Sequence, residues 1–215
     1  MFVLAVSTAF AAQAQTASFG IRGGANLSNL SGDLRDEDRF NNKLGFHAGL
    51  TLNFGVVEDF FSIQPELLYS VKGFENEDSE FSLLGQTYRR EGKVHYNYLD
   101  LPVLLRIKAG PLYFEAGPQA SYLVRVNNET KTYINDELEN TDVDEQSKEG
   151  LNEFEVGYAA GIGLTSGNNA ISIGLRYNGS FSDFVDEDVN FGGDLTNARN
   201  SVIMLTVGFA IPTSR

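Results

Sequence analysis

The stretch "PLYFEAGPQASYLVRV", residues 111–126, changes chemistry with a period of two. Leu112, Phe114, Ala116, Pro118, Ala120, Tyr122, Val124 and Val126 form one set. Tyr113, Glu115, Gly117, Gln119, Ser121 and Arg125 form most of the other. Successive side chains of an extended chain point to opposite faces, so alternation of this length specifies a β-strand. The fold then turns on which face meets the outside.

The same period recurs along the chain in eight segments, roughly 17–27, 44–54, 60–72, 92–108, 110–126, 151–165, 170–182 and 199–211. Their connections alternate in length. "GVVED", "AG" and "SGNN" are short, whereas 28–43, 73–91, 127–150 and 183–198 are long. In an up-and-down sheet that collects the long loops at one end and the tight turns at the other, the asymmetry of outer-membrane barrels. The long loops hold 22 of the 29 Asp and Glu residues. Most of that charge reads as solvated loop surface.

The strand faces decide the orientation. Ile171, Ile173, Leu175, Tyr177 and Phe181 alternate with Ser172, Gly174, Arg176, Asn178, Ser180 and Ser182. A soluble barrel would turn the bulky set inward, but the other set is rich in Gly and Ser and carries isolated charges at strand centres. Arg22, Glu66, Arg106, Glu115, Glu155 and Arg176 suit a narrow polar lumen in which small neighbours such as Gly157, Ala159 and Gly161 leave them room. The bulky set then faces lipid. With the first strand rising from the short-turn end, Phe19, Phe54, Phe61, Phe114 and Phe209 fall near that end. Phe46, Tyr69, Tyr122, Phe154 and Phe181 fall near the long-loop end, giving two aromatic girdles.

The expected fold is all-β: an eight-stranded, antiparallel, up-and-down transmembrane β-barrel. Lipid forbids open strand edges, because each unpaired backbone group there costs several kcal/mol. Eight strands leave an interior just wide enough for side chains. The expected lumen is therefore plugged, with Glu66, Glu115 and Glu155 paired to Arg22, Arg106 and Arg176. A tight hairpin at Ala109–Gly110 would set Arg106 diagonal to Glu115.

Composition agrees with an exported barrel. The chain has 215 residues, no cysteine and a net charge of −13, which excludes thiolate chemistry and argues against nucleic acid as a partner. The opening "MFVLAVSTAFAAQAQ" ends in an Ala-x-Ala pattern, and residues 1–15 read as a signal peptide ahead of a barrel domain at 16–215. No run of 18 apolar residues follows, so a membrane-spanning helix is not expected.

The segments "GIRGGANLSNL", "GFHAGL", "IQPELLYSVKG", "YNYLDLPVLLRIKAG" and "YFEAGPQASYL" resemble the PorT-like outer-membrane β-barrel family of Bacteroidota. The resemblance runs from about Ala17 to Ile211, and Tyr98-Leu99-Asp100-Leu101-Pro102 is its most specific part. It implies a Gram-negative outer-membrane barrel of the same build as the small OmpA- and OmpX-like barrels. It leaves the activity open, the family's name coming from a member associated with secretion and gliding. Unlike the common outer-membrane ending in an aromatic residue, Phe209 is followed here by "AIPTSR".

Three kinds of function compete. The first is a monomeric, non-enzymatic barrel in outer-membrane lipid whose acidic loops dock a protein partner, a secretion or gliding apparatus included. Loop 127–150, with Tyr133 and Ile134 as anchors, is the candidate surface. The second is a lipid-modifying enzyme, for which His47 and His95 are the two available imidazoles. No Ser/His/Asp spacing accompanies them. The third, a soluble lipocalin-type barrel, needs apolar residues inside and fails on the Glu and Arg positions. No cofactor is implied. A Ca²⁺ site at Asp142 and Asp144, or at Asp183, Asp186, Glu187 and Asp188, matches no EF-hand spacing.

Overall fold

The computed structural model describes residues 17–31, 40–76, 79–83, 86–135, 137–146, 148, 150–167, 169–183 and 198–211. The expected signal peptide and Asp186, Glu187 and Asp188 lie outside them. Among the described residues ten strands run β1 Ala17–Ser31, β2 Phe40–Val57, β3 Phe61–Asn76, β4 Ser79–Leu83, β5 Gln86–Ala109, β6 Leu112–Ile134, β7 Glu137–Gln146, β8 Phe154–Thr165, β9 Ile171–Ser180 and β10 Arg199–Ile211. Eight of them close a ring in the order β1-β2-β3-β5-β6-β8-β9-β10, each antiparallel to its neighbours. The last strand returns to the first, with Ile21 opposite Phe209 and Leu27 opposite Ile203. No helix among the described residues is long and apolar enough to cross a membrane; the crossing is made by strands.

Three tight turns join β2 to β3, β5 to β6 and β8 to β9. Among the described residues each contains one in the left-handed region: Asp59 at φ 54°, Gly110 at φ 64° and Asn169 at φ 57°. Gly, Asn and Asp are the residues that tolerate this region best, which is why these connections can be so short.

The barrel is inverted relative to a soluble protein. Ile173, Leu175, Leu105, Val103 and Phe114 are all 45–53% exposed on the outer wall, while Arg176 is 1%, His47 1% and Asp100 0% exposed inside. On that wall Phe19, Phe114 and Phe209 are exposed at the short-turn end, with Phe54 and Phe61 half-buried beside them. Phe46, Tyr69, Tyr122, Phe154 and Phe181 are exposed at the other end. Phe46 and Tyr69 meet at 6.4 Å between ring centroids, and Tyr158 lies 5.1 Å from Phe181.

Two expectations need correction. Segments 73–91 and 127–150 are largely strand, not loop: β3, β5 and β6 run on past the barrel, and β4 and β7 pair beside them. The extensions were hidden because both faces are polar there, as in Thr130-Lys131-Thr132. A strand with water on both sides loses its period-two contrast in hydrophobicity while keeping its backbone hydrogen bonds.

The second correction concerns Val126, which is 3% exposed and faces inward. Asn97 pairs with Arg125 but Tyr98 pairs with Leu123, leaving Val124 as an extra residue in β6. One bulged residue reverses the facing of everything beyond it.

Candidate functional site

Three regions offer polar groups in unusual settings: the lower lumen near the short turns, the upper lumen, and the strand extensions above the barrel. The lower lumen is built around Arg176, at the centre of β9. Its Nη1 and Nη2 donate to the two oxygens of Glu66 at 2.8 and 3.1 Å, and its Nε and Nη2 donate to Glu115 Oε1 at 2.8 and 2.6 Å. Arg22 Nη1 approaches Glu66 at 2.9 Å and Glu115 at 3.4 Å. Arg106 Nη2 donates to Glu115 Oε2 at 2.7 Å, and Gln64 donates to Glu66 at 2.6 Å. Burying a charge is costly unless it is paired and hydrogen-bonded, and both carboxylates are paired several times over. Arg106 and Glu115 sit directly opposite in the β5–β6 register, not diagonally. The turn holds two residues, Gly110 and Pro111, so Ala109 pairs with Leu112 and the count shifts by one.

Small residues make room for this network. Gly161 lies across from Arg176. The Tyr113 hydroxyl rests over the paired Gly163 and Gly174, where an added Cβ would stand 2.4 Å from it at either position. Arg106 in turn stacks on the Tyr113 ring at 4.1 Å.

Glu155 is not brought to the arginines. It faces the lumen on β8 six residues from Gly161, roughly 20 Å along the strand. It accepts hydrogen bonds from Tyr98 Oη at 2.6 Å and Asn200 Nδ2 at 2.5 Å. This upper lumen holds a second ion pair, Lys72 Nζ to Asp100 Oδ1 at 2.8 Å, with Lys72 also 4.4 Å over the Tyr98 ring. Sequence reasoning noted Tyr98 and Asp100 only within the family resemblance and did not place Lys72, Asp100, Tyr98 or Asn200 in the lumen network. Parity on β5 was the available signal, because Tyr98, Asp100, Leu104 and Arg106 share one face. Apolar side chains share the lumen as well: Leu68, Leu104, Leu123 and Met204 are 0% exposed.

The two histidines have separate settings. His47 is buried, with Nδ1 2.7 Å from Asn26 Oδ1. His95 lies above the girdle, 3.4 Å from Glu129. Burial, with Lys43 nearby, holds the His95 imidazole below its usual pKa. The hydrogen bond from Lys131 holds the Glu129 carboxyl below the usual carboxylate range.

At the short-turn end the lumen opens into a cavity of about 320 Å³. Turn residues Asp59, Phe60 and Asn169 line its rim, and Arg22, Arg106 and Tyr113 lie at its inner end. A void higher in the lumen, beside Lys72, Gln119 and Glu155, is much smaller, about 10 Å³.

Above the girdle at the other end, β4, β5, β6 and β7 form a four-stranded arm. β5 has 24 residues and β6 has 23, about 80 Å of strand each, whereas an apolar band of about 25 Å at 45° tilt needs roughly 35 Å. Tyr133 and Ile134, expected as loop anchors, are instead strand residues of β6, with Tyr133 stacked 4.5 Å under Arg89. β7, "ELENTDVDEQ", is exposed at every residue, including Leu138 at 54% and Val143 at 61%. It carries Glu137, Glu139, Asp142, Asp144 and Glu145 with no Lys or Arg, and only β6 pairs with it among the described strands.

A model of the family described as outer membrane protein beta-barrel domain matches residues 12–186. Among solved structures, the attachment invasion locus protein Ail of Yersinia pestis is similar at 14% identity and a TM-score of 0.46, covering 91% of this chain and 99% of that one. Neisserial surface protein A gives 13% identity and a TM-score of 0.44 over the same shares. A major outer membrane protein from Thermus thermophilus gives 8% and 0.42, covering 92% of this chain and 100% of that one. No curated protein matches this chain in sequence.

Proposed function

The chain belongs to the outer membrane protein beta-barrel domain family, and from that premise we propose that it is a non-enzymatic barrel whose work is done by its arm. The observation that carries this reading is the overshoot of β5 and β6, which lifts the fully exposed β7 clear of the membrane. Long connections of outer-membrane barrels lie on the extracellular side, so β7 faces the medium. Its outer edge offers unpaired backbone groups to an incoming strand, and its five carboxylates repel a second copy of themselves. A partner presenting an extended basic segment fits both features.

The lumen supports the same division of labour. Its cross-section is filled by the Arg176 network and by apolar side chains, which suits a plug and not a conduit. His47 meets Asn26 through Nδ1 and His95 lies 3.4 Å from Glu129, and among the described residues neither imidazole is hydrogen-bonded to a hydroxyl it could activate. The resemblance to PorT-like barrels leaves a secretion or gliding apparatus among the partners the arm would serve.

The test is deletion of residues 130–147. The shortened barrel is expected to stay heat-modifiable on a gel and to reach the outer membrane, while the cellular phenotype of the gene knockout appears in full. Should His47→Ala or His95→Ala produce that phenotype while the deletion does not, the enzymatic reading replaces this one.

A further inference from the structure

The lower and upper lumen differ in charge balance. The upper set of Lys43, Lys72, Asp100 and Glu155 is neutral. The lower network has three guanidiniums, Arg22, Arg106 and Arg176, against two carboxylates, Glu66 and Glu115, and so keeps one positive charge in excess. An unmatched buried charge is expensive, and an anion within reach relieves it.

The excess is placed where an anion can arrive. The side chains of Arg22, Arg176, Glu66 and Glu115 are at most 2% exposed, while that of Arg106 is 11% exposed and lines the 320 Å³ cavity. Arg106 Nε is buried with no hydrogen-bond partner. Ser62 stands directly across from Arg106 in the β3–β5 register, so the two side chains start roughly 5 Å apart on the lumen face. Asn53 donates to Ser62 Oγ at 2.9 Å, so the serine hydroxyl, already an acceptor there, has its own hydrogen left to donate. Lys108 follows two residues after Arg106 on the same face, about 7 Å nearer the mouth. Its Nζ is tethered to Asn169 at 2.7 Å and to the exposed Asp59 at 3.4 Å. A guanidinium N–H without a partner and a serine hydroxyl, beside a surplus cation and an open cavity, are the makings of a receptor for oxygen anions.

We propose that this cavity binds one small oxyanion, a carboxylate or phosphate group, held by Arg106 and the Ser62 hydroxyl with Lys108 at the entrance. The cavity is at the lower end of the range of small-ligand sites, so the anion carries at most a small organic substituent into the lumen. In an outer-membrane barrel the short turns face the periplasm, and the ligand comes from that side, either as a free anion or as the headgroup of an inner-leaflet phospholipid. The site is independent of the arm.

Equilibrium dialysis of the folded full chain in zwitterionic detergent, at constant ionic strength, tests this with three probes: inorganic phosphate, acetate, and dihexanoyl phosphatidic acid below its micellar concentration. One saturable site per barrel is expected for at least one probe. Binding should weaken about tenfold or more in Arg106→Gln and several-fold in Ser62→Ala and Lys108→Gln. Arg106→Gln leaves both carboxylates paired to the other two arginines. Should it still fail to fold, the Ser62 and Lys108 variants carry the test alone. Phosphatidic acid binding at least tenfold tighter than phosphate assigns the lipid headgroup, and equal affinities assign the free anion. Non-saturable uptake of all three probes, or affinity unmoved in every variant that folds, overturns the proposal. Deleting residues 130–147 should leave the affinity unchanged, so failure of the arm reading and failure of this one are separate results.

Discussion

Two ion pairs of similar length have different meanings in this molecule. Arg176 and Glu66 meet at 2.8 Å with side chains 1% and 0% exposed, inside the barrel wall. Arg125 and Glu145 meet at 3.0 Å with side chains 54% and 63% exposed, on the arm. In the lumen each charge has lost its water and depends on its partner. On the arm each charge keeps its water and loses little when the partner goes. The barrel's charges therefore hold the fold, while those on the arm contribute little to it.

The comparison breaks most easily at Arg176. Replacing it with alanine strips four hydrogen bonds from two buried carboxylates, and a loss of roughly 3–5 kcal/mol is expected in urea unfolding of the barrel in lipid vesicles. Adding Glu66→Gln should recover part of that loss; simple additivity in the double-mutant cycle would contradict direct coupling.

A steric version follows at Gly163. A side chain there must displace Tyr113 or the Ile173 carbonyl, both 2.4 Å from the added Cβ. Gly163→Val is expected to cost roughly 1–3 kcal/mol in the same assay. The Arg106 stack on Tyr113 would be disturbed with it.

Arg106→Ala sharpens the contrast within the lumen. Glu115 keeps Arg176 and Arg22, and the vacated space opens to the mouth cavity. The expected loss is about 1–2 kcal/mol, clearly smaller than for Arg176. Equal losses at the two positions would show that the mouth cavity is as dry as the barrel centre.

On the arm, Arg125→Ala is expected to change stability by less than about 1 kcal/mol, and that little should vanish in high salt. The smallest effect belongs to pH. Lys131 holds the Glu129 carboxyl below its ordinary value, so its contribution is complete above that ordinary value and is lost as pH falls through the lowered one. Amide exchange in β6 and β7, corrected for intrinsic rate, should therefore accelerate modestly below the usual carboxylate range and not in Glu129→Gln. Exchange in β9 should be unmoved across the same step.

The ring was legible in the order of the residues. Alternation in segments such as 111–126 and 170–182, with short and long connections in strict turn, specified eight antiparallel strands and, short of the bulge at Val124, which side of these segments meets lipid. That information is local, because the period of two is a property of the extended backbone and lipid rewards it at every strand. Which lumen residues meet is a matter of the folded barrel. Arg176 reaches Glu66 across 110 positions, while Glu155, equally inward, ends beside Tyr98 and Asn200. Register sets that choice, and a bulge such as the one at Val124 shifts register without a mark in composition. The arm was hidden for the opposite reason: its strands have water on both faces, so backbone pairing alone shapes them and hydrophobicity leaves no period to read.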